Sequence, residues 1–325
     1  MQRALVASIL LLSCAGAFAL DLQAHRGGRG LRPENTLPAF ANALAIGVTT
    51  LEFDTNVTKD GVVVVSHDSS LNPDITRGPD GKWLEKKGPA IHSLTYRELQ
   101  AYDVGRLKPE AAYGKRYPEQ QAVDGTRIPK LADLFALVRR SGDSRVAFNI
   151  ETKLTPGAPE ETPAPEAFAR ALVKTIRAAG MQKRVTIQSF DWRTLAVVQR
   201  IAPAIPTVYL TAQQKWLDNV EAANPAGSRW TAGVQLRDHG SIPGMVKAAG
   251  GKVWSPYFGD VDGAGVKQAH ALGLTVVVWT VNDVPAMERM IAMGVDGIIS
   301  DRPDLLRETA RRAGLALPEP SPVSP

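Results

Sequence analysis

The sequence predicts an α/β fold in which eight parallel strands close into a (β/α)8 barrel, the TIM-barrel architecture, with an insertion after the second strand. Short β-branched runs alternate with amphipathic helical stretches along most of the 325 residues. Repeated strand–helix units require parallel strands joined by right-handed crossovers, and eight such units can close on themselves. A doubly wound open sheet is the alternative fold that the same alternation allows.

Eight segments have the apolar, β-branched character of strands that are buried on both faces. They are Leu22–His25, Thr50–Thr55, Val146–Thr152, Val185–Phe190, Thr207–Thr211, Lys252–Ser255, Thr275–Val281 and Gly297–Ser300. The C-terminal ends of barrel strands form the face that carries active sites. Polar residues at the ends of these segments are therefore the first candidates for a functional site.

Apolar residues recur at helical spacing in six of the segments between these strands. The predicted helices are Leu37–Ile46, Leu131–Arg140, Pro165–Ala179, Trp192–Ile201, Gly265–Leu272 and Pro285–Met293. A glycine follows several of them closely, at positions 47, 180, 273 and 294. Glycine favours the left-handed conformation that ends many helices, so these positions support the predicted helix ends.

Two stretches interrupt the alternation within the predicted barrel domain, residues 20–312. The segment at about 69–127 is long and rich in turn residues, which predicts an insertion on the catalytic face with a short helix at Tyr96–Ala101. Lys215–Gly251 is also irregular, and an additional strand is expected at Gly233–Leu236. These stretches are the places where specificity can be added to a barrel.

The two ends of the chain differ in composition from this domain. Residues 1–19 combine an early arginine, an apolar run and small residues before Ala19, the pattern of a secretory signal peptide cleaved at that point. We therefore expect a periplasmic or secreted protein, and lipidation of Cys14, which would anchor it to a membrane, is the alternative. The Pro-rich tail, residues 313–325, is expected to be disordered after Leu317.

Composition excludes several classes of protein. The net charge is +5, and basic residues alternate with acids, which indicates a solvated surface and no nucleic-acid-binding face. Cys14 is the single cysteine, so no disulfide framework is expected. The motifs of zinc and serine hydrolases are missing from the sequence. After the signal peptide, no apolar run has the length of a transmembrane helix.

Polar residues end the first two predicted strands. His25 and Arg26 end the first strand, where a barrel presents side chains to a ligand. Glu52 and Asp54 are two residues apart in the second strand, so both carboxylates point to one side and Phe53 points away. Two such carboxylates repel each other unless a cation neutralises them. Oxygen ligands of this kind predict a site for Ca²⁺ or Mg²⁺.

A hairpin is predicted to bring a second histidine to these carboxylates. Thr58–Gly61 carries a tight-turn signal between two β runs. A two-residue turn at Lys59–Asp60 places His67 opposite Glu52, and a turn one residue later places it opposite Asp54. Either register puts the imidazole beside the carboxylate pair, although a bulge would shift it.

Three more residues near strand ends are candidates. Glu151 and Lys153 end the third strand on one face, so Glu151 can complete a carboxylate set and Lys153 can hold an anionic oxygen such as that of a phosphate. An internal ion pair between these two residues is the alternative. Trp279 lies near the end of the seventh strand, where it could form a wall of the pocket or simply belong to the core.

In combination these motifs resemble those of the glycerophosphodiester phosphodiesterase family. The matching segments follow the family order from about residue 22 to 306: His25–Gly27, Pro33–Thr36, Glu52–Asp54, Thr58–Gly61, His67–Asp68, Glu151–Lys153, Ser189–Phe190, Trp279–Asn282 and Asp296–Pro303. The resemblance implies a (β/α)8 barrel and one divalent cation, Ca²⁺ or Mg²⁺, bound by Glu52, Asp54 and Glu151. It also implies that His25 and His67 are the acid–base pair. Arg26 and Lys153 would hold the phosphate.

The implied activity is hydrolysis of a small-molecule glycerophosphodiester to sn-glycerol 3-phosphate and an alcohol. One alternative is a lysophospholipase D-type reaction on the same barrel, which needs an apolar groove near the insertion. A second alternative is an extracytoplasmic protein that binds the diester without cleaving it. The sequence leaves open the headgroup, the choice between Ca²⁺ and Mg²⁺, and which histidine is the acid. It also leaves open whether water attacks directly or a cyclic phosphate forms first, and the oligomeric state.

Overall fold

The computed structural model describes residues 20–325, so the predicted signal peptide and Cys14 lie outside the described residues. Its strands are β1 (Asp21–Ala24), β2 (Thr50–Val57), β3 (Val63–Val65), β4 (Ala147–Thr152), β5 (Val185–Ser189), β6 (Thr207–Thr211), β7 (Gln213–Gln214), β8 (Leu217–Asp218), β9 (Val253–Pro256), β10 (Thr275–Val278) and β11 (Gly297–Ser300). Eight of them pair in parallel in the order β1-β2-β4-β5-β6-β9-β10-β11, and β11 pairs with β1. The predicted closed barrel is confirmed.

A helix follows each barrel strand before the chain enters the next one. The helices are α1 (Leu37–Ile46), α2 (Tyr96–Leu99), α3 (Ala112–Arg116), α4 (Leu131–Arg140), α5 (Pro165–Ala178), α6 (Trp192–Ile201), α7 (Leu236–His239), α8 (Ile242–Ala248), α9 (Gly263–Ala271), α10 (Val284–Met293) and α11 (Pro303–Arg312). All six predicted helices are present, and α2 confirms the short helix predicted at Tyr96–Ala101. The helices α3, α7, α8 and α11 were not predicted. Among residues 20–325, no helix combines the length and the apolarity needed to cross a bilayer.

The alternation of side chains along β2 separates the site from the core. Phe53 points outward into the layer between barrel and helices, where its ring meets Phe40 and Phe148 edge to face at centroid distances of 5.6 and 6.4 Å. Phe135 of α4 extends this cluster at 5.0 Å from Phe148. The residues on either side of Phe53 therefore point into the barrel, as the period of a strand requires.

The hairpin after β2 has a register that was not predicted. Thr55 pairs with Val65, so the loop contains three residues, Lys59–Gly61, and the predicted two-residue turns are both wrong. The hydroxyl of Thr58 accepts a hydrogen bond from the backbone of Val62 at 3.0 Å, which closes the wider loop. Loops of this length place a residue with positive φ at the third position, and Gly61 has φ 79°.

Residues between β3 and α4 form a long connection that contains α2 and α3 and has a small apolar core of its own. The strand expected at Gly233–Leu236 is wrong. Gly233 adopts φ 88° within a turn closed by a 3.0 Å hydrogen bond from Val234 to Thr231, and Leu236 begins α7. A left-handed residue interrupts the extended backbone that a strand needs.

The expectation of a disordered tail is also wrong. The backbone of Ser321 donates a hydrogen bond to Leu44 of α1 at 2.9 Å, and Arg307 donates to the carbonyl of Pro318 at 2.7 Å. Leu317 and Val323 are partly buried against the main core. Proline lacks a backbone donor but keeps its carbonyl acceptor, so a proline-rich segment can be held in place by donors from the helices.

Candidate active site

A cleft of about 870 Å³ opens at the C-terminal ends of the barrel strands. His25 and Glu52 line it from the first two strands, and His67 lines it from the loop after β3. Glu151 and Lys153 line it from the end of β4. The fold therefore brings together side chains that are more than 120 residues apart in the sequence, as the prediction from strand ends required.

The three predicted carboxylates converge in this cleft. Asp54 and Glu151 are direct neighbours across β2 and β4, and Glu52 lies one inward-facing position earlier in β2. One oxygen of each residue lies within 4.8 Å of an oxygen of each of the others. All three residues are at most 6% exposed. Three buried oxygen donors this close together can hold a hard divalent cation.

Neighbouring groups fix the orientation of these carboxylates. Glu52 accepts hydrogen bonds from the side chain of Gln188 at 2.6 Å and from the backbone of Arg26 at 3.0 Å. Oδ2 of Asp54 accepts one from Asn35 at 3.0 Å. Oδ1 of Asp54 is buried and has no hydrogen-bond partner in the described part of the chain. The ammonium of Lys153 lies 3.7 Å from this oxygen, beyond hydrogen-bond distance, so the oxygen can take a cation as its partner.

Burial and neighbouring charges shift the pKa values of the three carboxylates in different directions. Burial, followed by the charges of Asp54 and Glu151, raises the pKa of Glu52 well above its usual range. Burial is also the main cause that raises the pKa of Glu151 to about 7. Burial opposes ionisation of Asp54, but the charges of His67 and Arg26 outweigh it and hold the pKa of Asp54 below its usual range. A bound cation would favour ionisation of all three residues.

His25 is held by a carboxylate behind its ring. Its Nδ1 lies 2.5 Å from Oδ1 of Asp301, and its Nε2 lies 4.0 Å from Oε2 of Glu52. Because an ionised carboxylate only accepts hydrogen bonds, Nδ1 is the donor and Nε2 is the nitrogen left free in the neutral ring. Burial, followed by the charge of Arg29, lowers the pKa of His25 to about 4.

Asp301 is a site residue that received no predicted role. It directly follows β11 and also accepts hydrogen bonds from Arg29 at 2.7 Å, Asn282 at 2.8 Å and Tyr117 at 3.2 Å. Burial opposes its ionisation, but Arg29 and His25 hold the pKa of Asp301 below its usual range. Its position at a strand end is the same signal that identified His25, so the sequence could have revealed it.

His67 has a similar arrangement on a different element. It lies two residues after β3, and its Nδ1 is 2.8 Å from Oδ1 of Asp68. The other carboxylate oxygen of Asp68 accepts a hydrogen bond from Asn72 at 2.7 Å, which fixes the aspartate. Burial, followed by the charge of Arg26, lowers the pKa of His67. The cleft therefore contains two imidazoles, each oriented by an aspartate.

The two predicted phosphate ligands are paired with acids in this structure. The guanidinium of Arg26 donates to Glu34 at 2.8 Å, and its Nε lies 3.4 Å from Asp54. The ammonium of Lys153 donates to Glu151 at 2.8 Å, so the ion pair considered as an alternative is present. Both residues also line the cleft. Pairing and contact with an anion are therefore compatible at these positions.

Trp279 lies on the cleft wall, as one of its two predicted placements required. Its indole donates a hydrogen bond to the carbonyl of Ser255 at 2.9 Å, and its ring meets Phe190 at a centroid distance of 5.2 Å. On the other side, Tyr113 of α3 donates a hydrogen bond to Glu34 and accepts one from Arg29 at 2.9 Å. The long connection between β3 and α4 thus reaches the site, in agreement with the insertion predicted on the catalytic face, although no local sequence signal identified Tyr113.

Comparison with known proteins gives a consistent result. Residues 25–305 match the model of the glycerophosphoryl diester phosphodiesterase family. A glycerophosphodiester phosphodiesterase from Caldanaerobacter subterraneus is 28% identical over 90% of this chain and 98% of its own length. A relative of the same description from Mycobacterium tuberculosis is 31% identical over 88% of each chain.

Among solved structures, a glycerophosphoryl diester phosphodiesterase from Silicibacter pomeroyi has a TM-score of 0.81 and 36% identity. The similarity covers 93% of this chain and 96% of that one. The matched range of the family model begins at His25 and extends beyond Asp301, so it includes every residue of the cleft described above. By fold, by site and by sequence, this chain belongs to the glycerophosphoryl diester phosphodiesterase family.

Proposed function

We propose that this chain hydrolyses glycerophosphodiesters to sn-glycerol 3-phosphate and an alcohol in a metal-dependent reaction. The observation that carries the proposal is the meeting of three buried carboxylates and two aspartate-oriented imidazoles in one cleft. Family membership supports the class of reaction. A protein that only bound the diester would need an anion site but no pair of oriented imidazoles.

The donor set of Glu52, Asp54 and Glu151 fits an oxygen-preferring divalent cation, and we propose Ca²⁺ or Mg²⁺. The buried Oδ1 of Asp54, which lacks a hydrogen-bond partner among the described residues, supports this fit. When bound, such a cation supplies positive charge that stabilises the phosphate oxygens in the transition state. Glu52 and Asp54 are held by β2 and by hydrogen bonds to Gln188 and Asn35, so these two ligands need little reorganisation. Glu151 would exchange part of its pairing with Lys153 for the cation.

Arg26 and Lys153 would add positive charge around the phosphate. Their acidic partners hold both side chains in the cleft before a substrate arrives, which lowers the entropy lost on binding. Nε of Arg26 is buried without a hydrogen-bond partner in the described residues, so it has a donor to offer. Hydrogen bonds from a guanidinium to a phosphate are charge-assisted and can be bidentate.

His25 and His67 would carry the protons of the reaction. With Nδ1 of His25 donating to Asp301, its Nε2 can accept or deliver a proton, and His67 is oriented in the same way by Asp68. For direct attack by water, one imidazole accepts a proton from the water as its oxygen bonds to phosphorus. The other imidazole gives a proton to the alkoxide whose bond to phosphorus breaks. The anionic substrate favours the protonated form of the second imidazole, which burial otherwise disfavours.

The proposal is tested by release of glycerol 3-phosphate from glycerophosphocholine. EDTA should abolish the release, and Ca²⁺ or Mg²⁺ should restore it. His25→Ala and His67→Ala should each lower kcat at least about 100-fold with little change in KM. His270→Ala removes an exposed histidine that is paired with Asp296 and should leave turnover unchanged.

Three results would contradict parts of this proposal. Turnover that persists unchanged in EDTA would exclude a role for the cation. Equal losses from His270→Ala and His25→Ala would exclude a specific proton-transfer role for the cleft histidine. Release of lysophosphatidic acid from lysophosphatidylcholine, without any release of glycerol 3-phosphate, would favour the lysophospholipase D-type reaction.

We also propose that the protein acts outside the cytoplasm. The support is the signal-peptide pattern of residues 1–19 with its small residues before Ala19. Mass spectrometry of the mature protein should find an N-terminus at Leu20. A lipid-modified N-terminus at Cys14 would instead indicate a membrane anchor, and an intact N-terminus in the cytoplasm would contradict export.

A further inference from the structure

An exposed tryptophan stands at the edge of the cleft. Strands β7 and β8 form a short antiparallel hairpin whose turn contains Trp216. This residue is 59% exposed and is the single large hydrophobic side chain with that exposure in the described part of the chain. It nevertheless lines the cleft. A ring in this position is available to contact a ligand bound in the cleft.

The surrounding rings form a corner with Trp216. The ring of Trp216 is nearly perpendicular to that of Tyr257, at 85° and a centroid distance of 5.3 Å. It is also nearly perpendicular to the ring of Trp279, at 82° and 6.1 Å. Rings that meet edge to face present their π-faces in different directions. Three such faces can surround a compact group from more than one side.

The hairpin that carries Trp216 is fixed in place. The carboxylate of Asp260 accepts hydrogen bonds from the backbone of Gln213, at 2.8 Å, and from the side chain of Gln214. Asp260 lies in the turn that follows Tyr257, so it connects the hairpin to one of the other rings. These two hydrogen bonds hold Trp216 in a fixed position relative to Tyr257.

Charge is divided unequally between the two parts of the cleft. Residues 25–153 supply the carboxylates, the imidazoles and the basic groups of the lining. The lining residues between 207 and 281 are all uncharged in the part of the chain that the structure describes. A diester whose phosphate occupies the charged part therefore directs one of its two alcohol groups toward the aromatic part.

We propose that Trp216, Tyr257 and Trp279 form a subsite for a quaternary ammonium group on the alcohol half of the diester. The proposal rests on the proposed function, because the phosphate must lie among the charged residues. A trimethylammonium group is weakly hydrated and is attracted to aromatic faces, whereas a primary ammonium loses strong hydration there. Phe190 is excluded from the subsite because Nζ of Lys153 already lies 5.8 Å from its ring centroid.

The test compares kcat/KM for three diesters that differ only in the alcohol. They are glycerophosphocholine, glycerophosphoethanolamine and the ester of 3,3-dimethylbutanol, an uncharged copy of choline in shape. Trp216→Ala should lower kcat/KM for the choline ester about tenfold, mainly by raising KM. The same variant should lower kcat/KM for each of the other two esters less than about threefold. Trp216→Phe should recover part of the loss.

Trp83→Ala is the matched control, because Trp83 lies in the connection between β3 and α4 and is not among the residues lining this cleft. It should leave all three values unchanged. Equal losses for the choline ester and its uncharged copy in Trp216→Ala would overturn the proposal in favour of simple apolar packing. Equal values for all three esters in wild type and variant would overturn it altogether.

Failure of the proposed function can be recognised separately. If wild type cleaves none of the esters, titration calorimetry with choline and with ethanolamine tests the subsite without turnover. Millimolar binding of choline that is lost in Trp216→Ala would uphold the subsite. Binding that is absent, or that is the same in the variant, would refute it.

Discussion

Replacing Asp301 by asparagine tests the support of His25 while preserving the size of the buried side chain. Asp301 is 1% exposed and accepts hydrogen bonds from His25, Arg29 and two neutral donors. An amide has one acceptor oxygen and two donor hydrogens, so it cannot satisfy these four donors. It can also donate to Nδ1 of His25, which would stabilise the tautomer with the proton on Nε2.

Two effects of different size follow from this geometry. Loss of a correctly oriented acid–base group lowers kcat about 10²-fold to 10⁴-fold, which corresponds to about 3–5 kcal/mol of transition-state stabilisation. The guanidinium of Arg29, with 11% of its side chain exposed, loses its charged partner. Removing one member of a buried ion pair costs about 3–5 kcal/mol of unfolding free energy.

The assay combines steady-state kinetics on glycerophosphocholine with urea unfolding of the same preparations. Asp301→Asn, His25→Ala and the double variant should have similar kcat values, because the two residues act as a unit. Asp304→Asn, which removes a charge from a partly exposed pair with Arg302, is the control and should change kcat less than about twofold. A kcat for Asp301→Asn within threefold of wild type, with His25→Ala inactive, would refute the reasoning.

Three further predictions concern the cation, the long connection and the core. Saturating Ca²⁺ or Mg²⁺, at about 100 times Kd, should raise the unfolding free energy by about 3 kcal/mol. Calorimetry should show that Glu151→Gln removes most of this gain. A gain of the same size in the variant would exclude Glu151 as a ligand. Tyr113→Phe loses the hydroxyl that joins Glu34 to Arg29. The free energy that holds the connection against the barrel should fall by about 1–3 kcal/mol, so residues 69–127 should be cleaved faster in limited proteolysis. An unchanged cleavage rate would mean that other contacts hold the connection. Phe53→Ala should lower the unfolding free energy by about 3–5 kcal/mol in urea, and a loss below about 1 kcal/mol would show that the cluster of phenylalanines refills the cavity.

The barrel could be predicted because its periodic signals are strong and local. Parallel strands are buried on both faces, so strands such as β6 and β10 consist mostly of β-branched and apolar residues in the sequence. The helix α8 is short and contains Pro243 and Gly244, and α11 has only a few apolar residues among many charges. Both form because one face packs on the barrel, and this tertiary contribution is weakly represented in local sequence.

The site was predictable where it depends on strand ends and unpredictable where it depends on loops. Glu52 and Asp54 share a face because a strand has a period of two, which any register preserves. The approach of His67 was inferred from two wrong registers, and the strand β3 ends before reaching it. Tyr113 contacts Glu34, which lies 79 positions earlier in the sequence. A contact of that range is determined by the packing of the whole connection and leaves no local pattern.

The partners His25 and Asp301 stand 276 positions apart and directly follow the first and last strands, which are neighbours in the ring. A growing polypeptide leaves the ribosome from its N-terminus, so the imidazole is available long before the aspartate that orients it. The seam between β1 and β11 can therefore close only after the last strand has been synthesised. Unfinished or C-terminally broken chains lack the oriented imidazole, which makes completeness of synthesis a precondition for a competent enzyme.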